Sequence, residues 1–285
     1  PISECLPLFV AQEQGFFADE GIDVSLRSLA GGAVILQGLT SGSLDVGFTN
    51  VVSLLLAKSN GAPLFPVFGA SYETAQHQNH ALVATAGTRL QTLAGKRVAV
   101  NTRNNVEELM VRHYLRRNGV DPTSITFLPI GFPQMLPALG ARNVDAASVV
   151  EPFITAARKN SEVSVLGNHY LASPTDTVLV ATYVTSEQRL TTSRSQLQAF
   201  ARAMSRATRF IQENDRESRQ ALLKYTKLTP EVIPDIALPV FSDRPRVQDV
   251  ERLKRLMILE QFPNARVSQA LDTLRLSSMR LGILQ

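Results

Sequence analysis

The sequence predicts an α/β protein built from two similar lobes. Three observations support this prediction. The chain has 285 residues, which is long for one compact core and comfortable for two. Short runs with strand periodicity alternate with longer runs of helical periodicity. The order of these runs then restarts near residue 97, which indicates an internal repeat.

The first pass along the chain alternates strand and helix patterns. Ile22, Val24 and Leu26 alternate with other residues as in a half-buried strand. The following runs predict a helix over 33–39, a strand over 45–48, a helix over 51–59 and a strand over 64–70. The second pass predicts strands over 97–100, 126–130 and 146–150, with helices over 106–118 and 133–140. Strands that alternate with helices predict a largely parallel sheet covered on both faces.

The two passes also match in their turn sequences. GIDV at Gly21 is echoed by GVDP at Gly119, and LTSGSLDVG at Leu39 is echoed by LGARNVDAA at Leu139. Shared turn chemistry explains part of this match, because glycine ends helices and aspartate opens tight turns in many proteins. The conserved order over a long stretch favours an internal duplication.

Two extended runs separate the predicted lobes. Residues 79–84 and 177–185 are rich in Val, Ala and Thr, and we predict them as the two crossing strands of a hinge. The first lobe is then predicted over 1–80 and 181–285, and the second over 81–180. A helical C-terminal segment, with an apolar face that includes Leu197, Phe200 and Met204, is assigned to the first lobe.

Composition excludes several classes of protein. The net charge is +4, but aromatic residues make up only 6% and Trp is absent, so nucleic-acid binding is not expected. The single cysteine, Cys5, excludes an intrachain disulfide. No run approaches the roughly 18 apolar residues of a membrane span, so a soluble chain is expected. Pro1 opens no secretory leader, and we expect a leader or first strand to have been removed.

The candidate binding residues lie where predicted strands end and helices begin. Ligands of open α/β sheets bind beyond the carboxyl ends of the strands, where free helix N–H groups favour an anion. The repeat supplies matched positions of this kind, and together they form the candidate site: Ser3, Glu4, Cys5, Gly31, Gly32, Thr49, Asn50, Thr102, Arg103, Asn104, Asn105, Phe132 and Glu151. Each Ser, Thr or Asn among them is also explained as a helix N-cap.

Charged and aromatic candidates point to different ligands. Arg103 would pair with a carboxylate or sulfonate through its planar guanidinium, or else remain an exposed loop residue. Glu151 would repel an anion unless it pairs with a cation, which keeps zwitterions and uncharged heterocycles open. Phe132, Phe153 and Tyr72 are candidates to pack against an organic ligand, with a core position as the alternative.

The sequence does not favour an enzyme. His77 and His80 have the spacing of a metal pair but lack further ligands nearby. The chain contains no GxSxG, no GxGxxG after a strand and no phosphate-binding loop. Cys5 has no identifiable base to activate it as a nucleophile. We therefore expect no catalytic residue, no cofactor and no metal.

Four stretches together resemble the ABC-transporter substrate-binding proteins of the nitrate, sulfonate, taurine and thiamine-pyrimidine type. They are PLFVAQEQGFFADEGIDVSL from Pro7, GGAVILQGLTSGSLDVGFTN from Gly31, LAGKRVAVNTRNNVEELMVRHYLRRNGVD from Leu93, and MLPALGARNVDAASVVEPF from Met135. The resemblance covers roughly the first half of the chain. It implies the type II periplasmic-binding-protein fold, with two lobes that close on a ligand by hinge bending.

The resemblance also implies a function and a site. It points to Ser3, Cys5, Gly31, Gly32, Thr49, Asn50, Thr102, Arg103, Asn104 and Glu151 as ligand-binding residues. The chain departs from the family in lacking the strand before the first helix, and in placing Glu4 and Cys5 in a loop that is often smaller and neutral. We expect a monomeric extracytoplasmic receptor that passes a sulfonate, carboxylate or similar anion to an ABC permease. The alternatives are a receptor for a pyrimidine or taurine-like solute, a thiamine-pyrimidine biosynthetic enzyme, and a ligand-sensing module for a signalling partner.

Overall fold

The computed structural model describes residues 1–262, which fold around two β-sheets. The first sheet has the strand order β1 (Gly47–Asn50), β8 (Thr177–Ser186), β2 (Leu64–Thr74) and β9 (Val240–Ser242), and all neighbouring strands are antiparallel. Residues 263–285 of the predicted first lobe lie outside the described residues.

The second sheet has five strands, in the order β5-β4-β6-β3-β7. They are β3 (His80–Thr85), β4 (Arg97–Val100), β5 (Thr126–Pro129), β6 (Ala146–Val150) and β7 (Val163–Gly167). Strand β4 runs parallel to β5 and β6, whereas β3 is antiparallel to β6 and β7. The α/β fold class is therefore confirmed.

Helices cover these sheets in the alternation that the sequence predicts. They are α1 (Leu6–Glu13), α2 (Phe16–Asp19), α3 (Gly32–Thr40), α4 (Val51–Ser59), α5 (Val106–Arg117), α6 (Phe132–Gly140), α7 (Phe153–Arg158), α8 (Glu187–Thr192), α9 (Arg194–Glu213), α10 (Asp215–Tyr225) and α11 (Val247–Leu259). The predicted apolar face of α9 packs Leu197, Phe200 and Met204 into one buried cluster with residues of α1. Burying each such side chain contributes about 1.5 to 3 kcal/mol. Within residues 1–262, no helix combines the length and apolar character that a membrane crossing requires.

The prediction of a largely parallel sheet is wrong for the first sheet. Strand β8 lies between β1 and β2 and runs antiparallel to both. Strands β1 and β2 are therefore parallel to each other, as α4 crossing between them requires, but they are not neighbours. The inserted strand arrives from far along the sequence, so local alternation of helix and strand gave no signal for it.

The predicted strand at 22–26 is also wrong. These residues have no strand partner among the described residues, although Ile22, Val24 and Leu26 pack against the buried cluster that contains α1 and α9. Their alternation reflects one face packed on a core, and side-chain alternation alone does not specify a hydrogen-bonded partner.

Two connections join the sheets. Strand β2 leads through residues 75–79 into β3, and β7 leads through residues 168–176 into β8. The two runs predicted as hinge strands are β3 and β8, and each pairs within a single sheet. The lobe boundaries at 80/81 and 180/181 stay predictions, and pairing of β8 with β2 begins at Thr177.

Candidate functional site

The start of α3 presses its backbone against neighbouring polar side chains. A Cβ atom added at Gly32 would lie 2.6 Å from Thr49 Oγ1 and 2.8 Å from Asn50 Nδ2. A Cβ atom at Gly31, the N-cap of α3, would lie 2.6 Å from Thr102 Cγ2. Both positions therefore require the absence of a side chain, and they bring the N-terminus of α3 against two other loops.

Asn50 joins the starts of two helices. Its Oδ1 accepts a hydrogen bond from Ser53 N–H at 2.8 Å, which caps α4, and a second from Val106 N–H at 3.3 Å, at the start of α5. Its Nδ2 donates to Ser53 Oγ at 3.0 Å. Because β1 and α5 belong to different halves of the molecule, this amide links the two halves at the predicted site.

The loop before α5 is built from asparagines. Asn105 caps α5 by accepting from Glu108 N–H at 3.1 Å, and its Nδ2 donates to Asn101 Oδ1 at 2.5 Å. Asn104 has a positive φ of 55°, a conformation that asparagine tolerates better than most residues. These contacts fix the loop that carries Thr102 opposite Gly31.

Arg103, in the loop before α5, is held by a carboxylate of that helix. Its Nε donates to Glu108 Oε2 at 2.8 Å and its NH1 donates to Phe127 O at 3.1 Å. Burial opposes ionisation of Glu108, yet hydrogen bonds from Arg103, Asn104 N–H and Arg112 lower its pKa overall. The guanidinium is thus already hydrogen-bonded to Glu108 and Phe127, and binding of a ligand by Arg103 stays a prediction.

The N-terminal loop brings Ser3, Glu4 and Cys5 against the first sheet and Glu151. Ser3 N–H donates to Glu151 O at 3.0 Å, and Glu4 Oε1 accepts from Ser71 Oγ at 2.8 Å. Burial, with the nearby charge of Glu4, raises the pKa of Cys5 to about 12, so its thiol stays protonated at neutral pH. A protonated thiol is a weak nucleophile, and Glu4 points to the buried interior.

Glu151 acts as an acceptor for backbone and hydroxyl donors. Its carboxylate accepts from Thr155 N–H and Thr155 Oγ1, each at 3.0 Å, and from Ala237 N–H at 3.5 Å. Burial raises its pKa in spite of these donors. The predicted repulsion of an anionic ligand is therefore reduced, because the carboxylate is directed into the first turn of α7.

The aromatic candidates occupy core positions. Tyr72 lies in the buried cluster that contains Leu253 of α11, and its hydroxyl accepts from Arg246 N–H at 2.9 Å. Phe132 stacks on Phe153, with ring centroids 6.2 Å apart, at the edge of the second sheet's core. Tyr72 thus supports the core alternative, whereas Phe132 and Phe153 are half-buried at the starts of α6 and α7.

Comparison with known proteins gives the family. The family described as NMT1/THI5 like matches residues 2–218, most of the chain. The chain belongs to this family. A Brachyspira hyodysenteriae protein described as an ABC transporter periplasmic binding protein is 30% identical over 138 residues, which cover 48% of this chain and 38% of that protein. The chain therefore spans well under two thirds of the length of this relative.

A second relative is an enzyme, and a solved structure shares the whole fold. The 4-amino-5-hydroxymethyl-2-methylpyrimidine phosphate synthase THI11 of Saccharomyces cerevisiae is 29% identical over 62 residues, which cover 22% of this chain and 18% of the enzyme. The alkanesulfonate-binding protein SsuA of Xanthomonas axonopodis pv. citri, solved with bound MOPS, superposes with a TM-score of 0.80 at 18% identity over 94% of both chains. The predicted resemblance and the periplasmic-binding-protein fold are confirmed.

Sequence reasoning missed Asn79. This residue precedes β3, its side chain is fully buried, and neither Oδ1 nor Nδ2 has a hydrogen-bond partner. Its carbonyl accepts from Glu151 N–H at 2.9 Å, so Asn79, Glu151 and Ser3 lie side by side. The only available signal was an asparagine at the start of an apolar strand pattern.

Three hydroxyl groups of the predicted site, like the Asn79 amide, are buried without a hydrogen-bond partner among the described residues. They are Ser3 Oγ, Thr49 Oγ1 and Thr102 Oγ1. A buried polar group without a partner costs about 1 to 3 kcal/mol. Such groups indicate a place where a further polar group is accommodated.

No set of three or more His, Cys, Asp or Glu side chains within residues 1–262 is arranged to hold a metal ion.

Proposed function

We propose that this chain is the extracytoplasmic solute-binding protein of an ABC importer and that it binds a small organic anion between two lobes. The observation that carries this proposal is the set of partnerless hydroxyls at Ser3, Thr49 and Thr102. Thr49 and Thr102 come from different halves and lie against the Gly31–Gly32 backbone. Hydroxyl groups donate readily to the oxygens of a sulfonate or carboxylate.

The charges around this cluster also favour an anion. Helices α3, α4 and α5 all begin here, and helix N-termini carry partial positive charge. The two nearby carboxylates already accept hydrogen bonds, Glu4 from Ser71 and Glu151 from Thr155. Gly31 and Gly32 let backbone N–H groups approach a ligand closely. An anion would therefore meet donors from several elements and little uncompensated negative charge.

Hinge closure fits the two connections between the sheets. In this proposal the lobes comprise 1–80 with 181–285, and 81–180, and bending at 75–79 and 168–176 opens the cleft. When the cleft is closed, the hydrogen bond from Val106 N–H to Asn50 Oδ1 joins the two lobes. The partners are then the ligand and an ABC permease, the protein is a periplasmic monomer, and no chemical step takes place.

A calorimetric panel at one pH tests the ligand class. The probes are ethanesulfonate, acetate, nitrate, taurine and neutral 4-amino-5-hydroxymethyl-2-methylpyrimidine. We expect at least one anion to bind with a dissociation constant of about 1 μM or below, a binding free energy of about −8 kcal/mol. Tight binding of the pyrimidine, with no heat from any anion, would reject the anion proposal.

The pyrimidine probe also covers the second candidate. The similarity to the yeast pyrimidine phosphate synthase, and the donor and acceptor that Asn79 offers together, favour a neutral heterocycle over other uncharged ligands. Native mass spectrometry of the purified protein, before any probe is added, would report the mass of a ligand retained from the cell.

A further inference from the structure

A buried histidine lies among three buried carboxylates beside the candidate site. His80 Nδ1 lies 2.5 Å from Glu73 Oε2, and His80 Nε2 lies 3.4 Å from Glu107 Oε1. The same Nε2 lies 3.8 Å from Glu4 Oε2. All four side chains are at most 4% exposed. We call these residues, Glu4, Glu73, His80 and Glu107, the His80 cluster.

The cluster joins elements of both halves. Glu4 comes from the N-terminal loop and Glu73 from the end of β2 in the first sheet, whereas His80 opens β3 of the second sheet and Glu107 lies in the first turn of α5. Glu73 and His80 flank one hinge connection, so their contact can persist when the cleft opens. The contact between His80 and Glu4 links the N-terminal loop to the second sheet, so opening would break it.

Further hydrogen bonds fix the positions of two carboxylates. Ser71 Oγ donates to Glu4, and Tyr170 OH donates to Glu107 Oε1 at 2.8 Å. Ser148 Oγ also donates to Glu107 Oε2. Glu4 and Glu107 are thus both held at Nε2 of the imidazole, whereas Glu73 lies at Nδ1. Buried like charges repel far more strongly than charges in water, and a cation between them removes that repulsion.

We propose that His80 is a positioning residue for ligand binding: as an imidazolium it holds Glu4 and Glu107 together, and so holds the Ser3 loop and the start of α5 in the closed arrangement. This inference rests on the proposed function, because it concerns closure over a ligand. When His80 loses its proton, the facing carboxylates repel, the cleft opens and the ligand is released.

The titration of the cluster supports a proton-dependent closure. Burial disfavours the charged imidazole, but the charges of Glu107 and Glu73, the hydrogen bond that His80 donates to Glu73, and the charge of Glu4 raise the pKa of His80 to about 9. Burial likewise opposes ionisation of Glu107, yet its partners, His80 first, lower its pKa. Burial raises the pKa of Glu4 and of Glu73.

Two further titratable groups face the cluster. Tyr170 stacks on His80 with ring centroids 4.0 Å apart, and burial raises its pKa well above 10.0, which keeps it neutral. His169 lies on the other side of Glu107, with Nε2 at 2.8 Å from Ser148 Oγ and 3.8 Å from Glu107 Oε2. Neither group supplies a negative charge that would replace the carboxylates.

The sign of the pH dependence follows from the raised pKa. The His80 pKa of about 9 in the folded protein exceeds the ordinary value of 6.5, so its contribution is complete below pH 6.5 and is lost as the pH rises through about 9. On the acid side, the lowered pKa of Glu107 keeps its ion pair with His80 as the pH falls below 4.5. His80 therefore sets the alkaline limit of the pH range in which the cluster holds the closed arrangement.

Calorimetric titration with sodium ethanesulfonate between about pH 6 and about pH 10 tests the proposal, because the sulfonate stays ionised throughout. We expect affinity to fall by about tenfold or more between about pH 8 and about pH 10. His80→Gln should bind at least about tenfold more weakly at about pH 7 and show no such pH dependence. Glu4→Gln added to His80→Gln should restore part of the affinity, because it removes one side of the repulsion.

The matched control is His77→Gln. His77 lies three positions earlier, and its Nδ1 contacts Leu238 O at 3.1 Å instead of a carboxylate. This variant should keep the pH profile of the unaltered protein. A flat profile in the unaltered protein, or the same loss of profile in His77→Gln, would overturn the role of His80.

Small-angle scattering without ligand separates this inference from the proposed function. The radius of gyration of the unaltered protein should increase between about pH 7 and about pH 10, whereas that of His80→Gln should already be large at about pH 7. If ethanesulfonate binds at no pH, the sulfonate proposal fails while this measurement still decides the role of His80. An unchanged radius in the unaltered protein overturns the inference.

Discussion

The two predicted repeats each begin a helix after a glycine, α3 after Gly31 and α6 after Gly131, but the residues around these two helix starts differ. In the first repeat, Gly31 caps α3 against Thr102, and Thr49 at the end of β1 keeps a buried hydroxyl without a partner. In the second, Gly131 caps α6, and a Cβ atom there would meet only the end of the flexible Gln134 side chain, at 2.9 Å. The two matched helix starts therefore differ in how closely their neighbours approach.

The polar residue after each strand shows the same contrast. Asn50 follows Thr49 and reaches across to Val106 N–H of the other half, whereas Glu151 follows Val150 and supports the first turn of α7. The second half instead contributes to the site through the loop before α5. Matched positions in a repeat therefore predict which residues can reach a ligand. The hydrogen bonds that each residue already makes decide whether its side chain is free to bind one.

Adding one methyl group at each glycine gives the largest expected difference between the repeats. Gly31→Ala would place Cβ 2.6 Å from Thr102 Cγ2 and hold the halves apart, so ligand affinity should fall about 100-fold, or about 2.7 kcal/mol. Gly131→Ala is the matched control, because Gln134 can rotate away. Calorimetry on both variants checks this, and equal losses would contradict the assignment of the binding surface to the first repeat.

Replacing the partnerless hydroxyl makes the first repeat resemble the second. Thr49→Val preserves the shape of the side chain, and the matching strand end already carries Val150. Ligand affinity should fall about tenfold because one donor to the anion is lost. The free energy of unfolding of the empty protein should rise by up to about 1 kcal/mol, because a buried hydroxyl without a partner is removed. Affinity and stability moving in the same direction would show that Thr49 is only structural.

Sequence patterns predicted the fold better than the pairing of its strands. The alternation of strand and helix, the apolar face of α9 and the repeat were sufficient for the fold class. The insertion of β8 between β1 and β2 was not predictable, because strand order depends on contacts between residues far apart in sequence. The same limit explains why alternation at 22–26 suggested a strand that has no partner among the described residues.

The sequence indicated which loops carry the candidate site residues. It did not indicate which of their polar groups already have hydrogen-bond partners. The junction rule selected the loops that carry Ser3, Thr49 and Thr102, and contact of these hydroxyls with a ligand stays a prediction. It could not show that Arg103 pairs with Glu108, because that contact depends on how the loop before α5 folds back on the helix. Nor could it find the His80 cluster, since the four residues become neighbours only when both sheets and α5 come together.

The smallest expected effect on affinity comes from the second repeat's carboxylate. Glu151→Gln would set an amide NH₂ among Thr155 N–H, Thr155 Oγ1 and Ala237 N–H, so at least one donor would lose its acceptor. The free energy of unfolding should fall by about 1 to 3 kcal/mol. Ligand affinity should change by less than about threefold, because the side chain faces α7. Urea unfolding and calorimetry measure the two quantities separately. A loss of about tenfold or more in affinity, with stability unchanged, would place this carboxylate on the ligand and remove the contrast between the repeats.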